Sequence, residues 1–297
     1  MSQSFRGRVN RAVTRDYDRV SQVWDRSFVP MTDGLRRYLL DTAELRPGER
    51  VLDIGTGTGA AALLVAERVG TTGRVLGIDR SPAMLAKART KASRSGVTNV
   101  KFRKMDGTAL RLPQASFDVV ISSFGTPEGV YDGEDVFRQW LGVLRPGGRL
   151  CFADSPGIVD LRGILNPILE RHKVKDPSPS LAAKRRLWER VRAGRDHARP
   201  ISDDKPEEVT RLMKAAGFRG VRAIVRRSSV QLPSARTIVR LCLEWDIADE
   251  YAEMAPRARA AFRRELLEAL RPFETRAGIR MPTRTTFFLG RKGAGRA

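Results

Sequence analysis

The residues best placed to do chemistry lie in a glycine-rich stretch, residues 51–60, which reads VLDIGTGTGA. Three apolar positions of β type lead into glycines at 55, 57 and 59, and a helix-like run, AAALLVAERV, follows. A strand, a glycine turn and a helix in this order let the backbone approach a nucleotide-like ligand closely. The amides of the turn and of the helix N-terminus then face that ligand as hydrogen-bond donors.

Carboxylates at three predicted strand ends help to distinguish between nucleotides. GTGTGA also satisfies the dinucleotide pattern G-x-G-x-x-A, but Asp53 stands two residues before the first glycine, where its carboxylate would crowd a pyrophosphate. Asp53 instead favours a ligand with a positive charge, such as an amine. Asp79 ends the second predicted strand, where it can accept from two ribose hydroxyls, and Asp106 ends the third. The later segments FDVVISS and LRPGG have no counterpart in the dinucleotide fingerprint.

The elements that must position these residues alternate between strands and helices. Strands are predicted at about 50–54, 74–79, 100–106, 117–123 and 149–154, with helices at about 60–69, 82–95 and 132–144. This alternation predicts a parallel sheet with helices on both faces, which binds ligands at the carboxyl ends of its strands. Farther on, a strand at about 220–228 and two amphipathic helices are predicted. The final strand, RTTFFLGRK, is expected at the edge of the sheet.

The N-terminal region, residues 8–46, is predicted to be helical with breaks at Pro30 and Gly34. Tyr17 and Trp24 share one face of this helix by their spacing. The helix can act as a lid, with Tyr17 or Trp24 against a bound ligand, or it can simply pack on the sheet.

Five segments, in their order and spacing, resemble a known family: VLDIGTGTG, GIDRSPAMLAKAR, MDGTALRLP, FDVVISSFG and VLRPGGRL. Together they resemble the class I S-adenosylmethionine-dependent methyltransferases, in particular the type 11-like group that contains the ubiquinone and menaquinone biosynthesis enzymes. The resemblance implies a Rossmann-like α/β fold with a doubly wound, mostly parallel seven-stranded sheet. It also implies three parts: an N-terminal helical lid at 1–46, a cofactor-binding core at 47–155, and a C-terminal half at 156–297 that completes the sheet and carries basic helical insertions.

The resemblance assigns residues to the methionine and ribose parts of a bound S-adenosylmethionine. The turn residues Gly55, Thr56 and Gly57 would lie against the methionine part. Asp53 would accept from its ammonium, directly or through water, and Asp79 would accept from the ribose hydroxyls.

The resemblance also assigns residues to the two ends of the cofactor. Arg80 and Met84 would flank the adenine, while Asp106 accepts from its amino group and the Gly107 amide donates to the ring. The sulfonium and the substrate would be bordered by three residues at the end of the fourth strand: Ser122, Ser123 and Phe124. Tyr17 of the N-terminal helix is a further candidate for contact with the cofactor, from its spacing alone. For Met84, plain core packing is the alternative.

Methyl transfer from a sulfonium is a direct displacement, so the protein chiefly aligns the nucleophile, the methyl carbon and the sulfur in a dry site. A general base is needed only if the acceptor must lose a proton. Asp154, at the end of the fifth predicted strand, is a better candidate for that base than His172 or His197. The two cysteines have no metal-type spacing, so no metal site is predicted.

The segment that follows the fourth strand bears on the acceptor. It reads SSFG rather than the NPPY type of enzymes that methylate exocyclic amines of bases. The sequence therefore favours a small organic acceptor that resembles a quinone, a polyketide or another secondary metabolite. Apolar positions in the C-terminal half are expected to cover such an acceptor: Leu187, Trp188, Val191, Ile238 and Trp245.

The net charge of the 297-residue chain is +21, and residues 156–297 alone carry +14 from 31 basic and 17 acidic residues. This excess indicates either RNA or another anionic partner for the C-terminal half, or a general preference for arginine, since only ten of the 55 basic residues are lysine. Trp188, between KRR and RVR, could stack a base. Two alternative functions therefore stay open: a tRNA or rRNA methyltransferase, and a non-catalytic protein that binds the cofactor or nucleic acid on the same fold.

Targeting signals are weak in this sequence. No run of eighteen apolar residues occurs, and the first twenty residues carry charges where a signal peptide needs an apolar core. A cytoplasmic protein without a membrane span is expected. The oligomeric state stays open.

Overall fold

The computed structural model describes residues 3–125, 133–153, 157–158, 161–192 and 206–294. Its strands are β1 (Arg50–Ile54), β2 (Arg74–Asp79), β3 (Val100–Lys104), β4 (Phe117–Ser123), β5 (Leu144–Ala153), β6 (Gly157–Ile158), β7 (Arg219–Leu232), β8 (Glu274–Thr275) and β9 (Gly278–Arg291). Its helices are α1 (Gln3–Thr42), α2 (Ala60–Val69), α3 (Pro82–Arg94), α4 (Gly133–Val143), α5 (Leu161–His172), α6 (Pro179–Arg192), α7 (Pro206–Ala215), α8 (Ala235–Leu241), α9 (Ala248–Glu253) and α10 (Pro256–Leu270). A π-helical turn, Cys242–Asp246, joins α8 to α9, and a 3-10 turn, Arg271–Phe273, follows α10.

The sheet confirms the expected doubly wound, mostly parallel architecture. Strands β1 to β5 are parallel and lie in the order β3-β2-β1-β4-β5. Strand β9 adds antiparallel to β5, and β7 adds antiparallel to β9, while the two-residue strands β6 and β8 also pair with β9. Because the strand order reverses between β1 and β4, a crevice opens there at the carboxyl ends of the strands.

The last long strand occupies the interior of the sheet, so the predicted edge position was wrong. β9 pairs with β5 on one side and with β7 along almost its full length on the other. Phe287 and Phe288 in β9 are fully buried, and the Phe288 ring stacks on Phe152 of β5 at 4.8 Å between centroids. β7, rather than β9, takes the outer position, because the chain places it beside β9 as a 14-residue antiparallel partner.

The N-terminal helix is continuous, so the predicted breaks at Pro30 and Gly34 were wrong. A proline inside a helix removes one backbone hydrogen bond and crowds the preceding turn. The hydrogen bond that Pro30 cannot make would have gone to the carbonyl oxygen of Arg26, one turn earlier. Phe28 and Thr32, on either side of Pro30, are buried, so packing holds α1 as one 40-residue element across the proline.

Two apolar clusters cover the faces of the sheet, and two more attach the remaining helices. One face packs on α1 and α2, and the other on α4 and α7. A third cluster joins α5, α8 and α10 to the far ends of β7 and β9, where Phe262, Leu266 and Leu270 are fully buried, as their spacing predicts. The fourth cluster lies between the first half of α1 and the C-terminal half of α6. Leu187, Trp188 and Val191 of α6 belong to it, so this face packs on α1.

Among the residues that the structure describes, no helix is both long and apolar enough to cross a bilayer. A cytoplasmic location stays a prediction.

Candidate functional site

A cavity lies at the carboxyl ends of the parallel strands, beneath α1, where the doubly wound topology opens the sheet. The predicted residues that line it are Tyr17, Asp53, Gly55, Thr56, Gly57, Asp79, Arg80, Met84, Asp106, Gly107, Ser123 and Phe124. They come from α1, from the loops after β1, β2 and β3, and from the end of β4. Residues distant in the chain thus meet at one edge of the sheet.

Asp53 lies on the floor of this cavity and is fully buried. Its Oδ2 accepts a hydrogen bond from Thr56 Oγ1 at 2.6 Å, whereas its Oδ1 has no partner in the described structure. Burial raises the pKa of Asp53 to about 7, and the nearby Asp79 adds to this rise, while Thr56, Arg36 and the backbone N–H of Ala62 oppose it. A buried, unpaired carboxylate oxygen is costly. A cationic hydrogen-bond donor placed in the cavity would relieve that cost, so the site fits an ammonium group.

Ser123 provides a second unpaired atom in the cavity. Its Oγ is buried and has no hydrogen-bond partner in the described structure. Ser122, which was also predicted as a cofactor contact, is not among the residues that line the cavity. Successive side chains of a strand point to opposite faces, and the Ser122 hydroxyl faces inward to donate to Ile54 O at 2.8 Å. Its neighbour Ser123 faces the cavity instead.

The glycine turn allows two backbone segments to touch. Gly55 has a φ of +68°, and a Cβ at this position would lie 2.6 Å from the Cα and carbonyl oxygen of Gly125. Gly57, with a φ of +54°, directs its N–H to Asp79 Oδ2 at 2.9 Å. The turn therefore sets both the floor of the cavity and the orientation of Asp79.

Replacing Gly55 with alanine should destabilise the protein more than the same change at Gly96. Gly55 and Gly96 have φ values of +68° and +64°, and a left-handed backbone costs a residue with a side chain about 1–2 kcal/mol. Of the two, only Gly55 also faces backbone atoms at clash distance, since nothing lies within 4 Å of a Cβ at Gly96. Urea unfolding of the two variants should therefore differ by at least ~1 kcal/mol. Equal losses would show that the Gly55–Gly125 approach is not tight.

Asp79 is the last residue of β2, and backbone N–H groups hold both oxygens of its carboxylate. Its Oδ2 accepts from Gly57 N and its Oδ1 accepts from Ser81 N at 2.8 Å. Burial is the main cause that raises the pKa of Asp79, and these amides oppose it. Each carboxylate oxygen has a second lone pair. The carboxylate is thus fixed in place and can still accept from ligand hydroxyls.

The adenine end of the predicted site contains a hydrogen-bonded bridge. Asn10 of α1 donates from Nδ2 to Asp106 Oδ2 at 3.1 Å and accepts from Arg80 Nη1 at 2.7 Å through Oδ1. Asp106 Oδ1 accepts from the backbone N–H of Thr108 at 2.9 Å. Met84, at 1% exposure, forms part of the adjacent wall. Asn10 therefore ties α1 to the two loops that were predicted to hold adenine.

An aromatic cluster closes the opposite end, and the C-terminal half contributes one of its rings. Trp24 and Phe28 of α1 line the cavity and stack at 4.2 Å between centroids. Trp245, from the π-helical turn, meets Trp24 at 5.3 Å and Tyr17 at 6.2 Å. Phe124 contacts Phe28 at 6.5 Å and has a φ of +59°, an uncommon backbone state for a large side chain. The cluster makes this end apolar and shields it from water.

Arg36 is a site residue that the sequence reasoning missed. It lines the cavity at 4% exposure, and its Nη2 donates to Thr32 Oγ1 at 2.6 Å. Burial lowers the pKa of Arg36, while the carboxylates of Asp33 and Asp53 oppose that change. A signal was present in the sequence: Arg36 precedes the buried Leu39 and Leu40 by three and four residues and so shares their apolar helix face. Asn10 and Phe28 were missed as well.

The proposed proton acceptors fall outside this cavity or outside the described residues. Asp154 and His197 are not among the residues that the structure describes. His172 does not line the cavity: its Nε2 lies 2.7 Å from Glu265 Oε1, and its ring meets Phe262 edge-on. The described residues contain no group of three or more metal-ligating side chains that could hold a metal ion.

Comparison with known proteins agrees with this geometry. Residues 45–217 match a family model described as a methyltransferase domain. The chain is 30% identical over 255 residues to nocamycin O-methyltransferase of Saccharothrix syringae, covering 86% of this chain and 89% of that protein. It is 37% identical over 143 residues to aklanonic acid methyltransferase DauC of Streptomyces sp. (strain C5), covering 47% and 63% respectively.

A third relative is the ubiquinone/menaquinone biosynthesis C-methyltransferase UbiE of Xanthomonas oryzae, with 35% identity over 148 residues. That match covers 50% of this chain and 57% of the relative. The chain thus spans about six-tenths of the length of DauC and UbiE, and most of nocamycin O-methyltransferase.

Solved structures share the fold. YcgJ of Bacillus subtilis superposes with a TM-score of 0.54 at 21% identity, covering 88% of this chain and all but 2% of that one. The [4+2]-cyclase SpnF superposes with a TM-score of 0.56 at 20% identity, covering 97% and 98%. At such identities the likeness establishes the fold alone. One of these two proteins, SpnF, is named as a [4+2]-cyclase. The fold therefore does not specify the reaction.

Proposed function

Because the chain belongs to the methyltransferase domain family, whose model matches residues 45–217, we propose that it transfers a methyl group from S-adenosylmethionine to a small organic acceptor. The observation that carries this proposal is the unpartnered Oδ1 of Asp53, buried on the floor of the cavity. An amino-acid ammonium would satisfy it. A dinucleotide has no cationic N–H donor to place there, because the charged ring nitrogen of a nicotinamide is substituted and carries no hydrogen.

The carboxylate of the same amino acid would bind Arg36. Its guanidinium is anchored on Thr32 and Asp33, and a planar fork of donors suits a carboxylate. Asp53 and Arg36 both line the cavity, and they carry opposite charges. Together they match the zwitterionic end of S-adenosylmethionine.

The adenosine part would occupy the other end. Asp79 would accept from the ribose hydroxyls at the acceptor sites of its carboxylate that the backbone N–H groups of Gly57, Ser81 and Arg80 leave open. Met84 and Arg80 would flank the base, and Asp106 and Gly107 would hydrogen-bond its edge. Asn10 now occupies one oxygen of Asp106, so we expect it to shift when the adenine amino group binds there.

When bound, S-adenosylmethionine supplies an electrophilic methyl group on a positively charged sulfur. The aromatic cluster of Tyr17, Trp24, Phe28, Phe124 and Trp245 would exclude water from that end and attract a cation to the ring faces. The protein would then contribute mainly alignment of the reacting atoms. Asp154 stays our candidate for a base where the acceptor must lose a proton.

The same apolar end supports a hydrophobic acceptor that resembles a quinone or a polyketide. One relative that this chain covers over most of its length is named nocamycin O-methyltransferase, which supports methyl transfer as the reaction. We also propose that residues 1–46 form the lid, 47–155 the cofactor-binding core, and 156–297 the remaining part, because α1 spans the cavity and Trp245 closes it from the C-terminal side.

Binding and turnover together test the proposal. Calorimetry with S-adenosylmethionine and S-adenosylhomocysteine should give micromolar affinities, and incubation with a methyl-labelled cofactor should label a quinone or polyketide acceptor. Failure of the folded protein to bind either compound would overturn the proposal. Binding without turnover on any acceptor would favour the non-catalytic alternative, and label in tRNA or rRNA would favour the RNA alternative. For the RNA alternative, Trp188 is poorly placed to stack a base, since it packs on the first half of α1.

Replacing Arg36 with alanine should weaken S-adenosylmethionine binding by about 10- to 150-fold. This range corresponds to the loss of about 1.5–3 kcal/mol, which a hydrogen bond to a charged group contributes. Arg37→Ala is the matched control, because Arg37 also pairs with Asp33 but is exposed and does not line the cavity. Methylthioadenosine, which lacks the amino-acid part, should bind wild type and Arg36→Ala equally. Equal weakening of both ligands would mean that the substitution damages the cavity rather than removing a carboxylate contact.

A further inference from the structure

A second cavity, of about 1260 Å³, lies between the first half of α1, helix α6 and the end of β3. It adjoins the cofactor cavity, since Thr14, Arg80, Met105 and Asp106 line both. We call this space the basic groove. Its volume exceeds the ~300–1,000 Å³ that is usual for small-molecule pockets.

The lining of the basic groove is strongly cationic. Nine cations and four carboxylates line it. On α1, Arg8, Arg11, Arg15 and Arg19 follow one another at spacings of three and four residues, which puts them on one helix face. On α6, Lys184, Arg186 and Arg190 line the opposite wall, and Lys104 at the end of β3 and Arg80 lie at the base.

The carboxylates of the groove are already engaged within the protein. Asp16 and Asp249 are shared by Lys184 and Arg19, with Lys184 Nζ at 2.8 Å from Asp16 and Arg19 Nη1 at 2.7 Å from Asp249. Asp106 accepts from Asn10 and Thr108, and Glu253 accepts from Ser178 N at 2.8 Å.

Four of the cations that line the groove have no carboxylate partner in the part of the chain that the structure describes. Within the described residues, Arg11, Arg15, Lys104 and Arg186 form no ion pair, although all four line the same groove. Positive charges that line the same groove repel one another and make the electrostatic potential inside it more positive, which attracts anions. Guanidinium groups bind phosphate and carboxylate groups through paired N–H donors.

We propose that the basic groove is a second ligand site, which binds a small organic anion with two or more phosphate or carboxylate groups. Arg11 and Arg15 would contact it from α1, Arg186 from α6, and Lys104 from below. Because cations line the groove on α1, on α6 and at the end of β3, a discrete ligand between these walls can contact all three sets at once, which favours it over an extended polymer. This proposal does not depend on methyl transfer, because no residue assigned to the methionine part or to the aromatic cluster lines the groove.

Calorimetry on the full chain with inorganic pyrophosphate and with citrate tests this assignment. At low ionic strength we expect binding of at least one of them, weakened at least tenfold by Arg11→Gln/Arg15→Gln and also weakened by Lys104→Gln alone. The control Arg263→Gln/Arg264→Gln removes the same charge from exposed positions on α10 and should change affinity less than twofold. Stronger binding of pyrophosphate would identify phosphate as the recognised group, and stronger binding of citrate would identify carboxylate.

Three results would overturn the proposal. One is the absence of binding of either anion at millimolar concentration, and another is an equal loss of affinity in the α10 control. The third is binding of single-stranded RNA through Arg11 and Arg15 while both small anions fail to bind. The affinity of Arg11→Gln/Arg15→Gln for S-adenosylmethionine should stay within twofold of wild type, because neither residue lines the cofactor cavity. The anion proposal can therefore fail while the methyltransferase assignment holds.

Discussion

Replacing Asp79 with alanine should lower the affinity for S-adenosylmethionine by about 30- to 700-fold, or roughly 2–4 kcal/mol, as measured by calorimetry. The reason is the loss of a fixed carboxylate that can accept from two ribose hydroxyls. Its orientation is set by Gly57 N and Ser81 N, so the acceptor is preorganised before the ligand arrives.

Asp41→Ala is the matched control for this prediction. Asp41 is an exposed α1 carboxylate that pairs with Arg68 and does not line the cavity, so its loss should leave affinity within twofold. Thermal unfolding of both variants would establish that each is folded. An affinity of Asp79→Ala within threefold of wild type would remove Asp79 from the site.

S-adenosylmethionine affinity should rise with pH up to about 7 and then level off, because binding to the ammonium requires ionised Asp53. Burial raises the pKa of Asp53 to about 7, so below that pH each unit should weaken binding by up to tenfold. Asp53→Asn should bind more weakly at pH 7.5 and show no such slope between pH 5.5 and 7.5. Calorimetry in two buffers of different ionisation enthalpy would also detect proton release from wild type. A flat wild-type profile would contradict this role.

Without ligand, the same group makes stability fall as pH rises. In the unfolded chain Asp53 ionises near 3.8, while in the folded protein it holds its proton up to about 7. The folded state therefore binds more protons between these values, and its stabilisation, present in full below pH 3.8, is lost as pH approaches 7. The total is on the order of 4 kcal/mol. Asp53→Asn should gain stability relative to wild type over this range in urea unfolding, and a constant difference across pH would contradict the assignment.

The sequence alone predicted the core of this protein because the signals there are local. Strands β1, β2 and β4, the glycine turn and helices α2 and α3 lie within a residue or two of their predicted bounds. Each follows from apolar periodicity interrupted by Gly, Pro or Ser. Asp53, Asp79 and Asp106 sit at strand ends of a parallel sheet, so their meeting at one edge also follows from the sequence.

Only the tertiary structure decided which distant residues complete the site. Asn10 reaches Asp106 across 96 positions of sequence, and Trp245 meets Trp24 from the C-terminal half. No local pattern encodes such contacts, because they depend on how α1 lies across the sheet. The same holds for Pro30, which stays inside α1 because Phe28 and Thr32 on either side of it are buried against the rest of the protein. It holds also for β9, whose interior place was set by β7 pairing along its outer side. Local propensity fixes elements, whereas packing and long-range hydrogen bonds fix their neighbours.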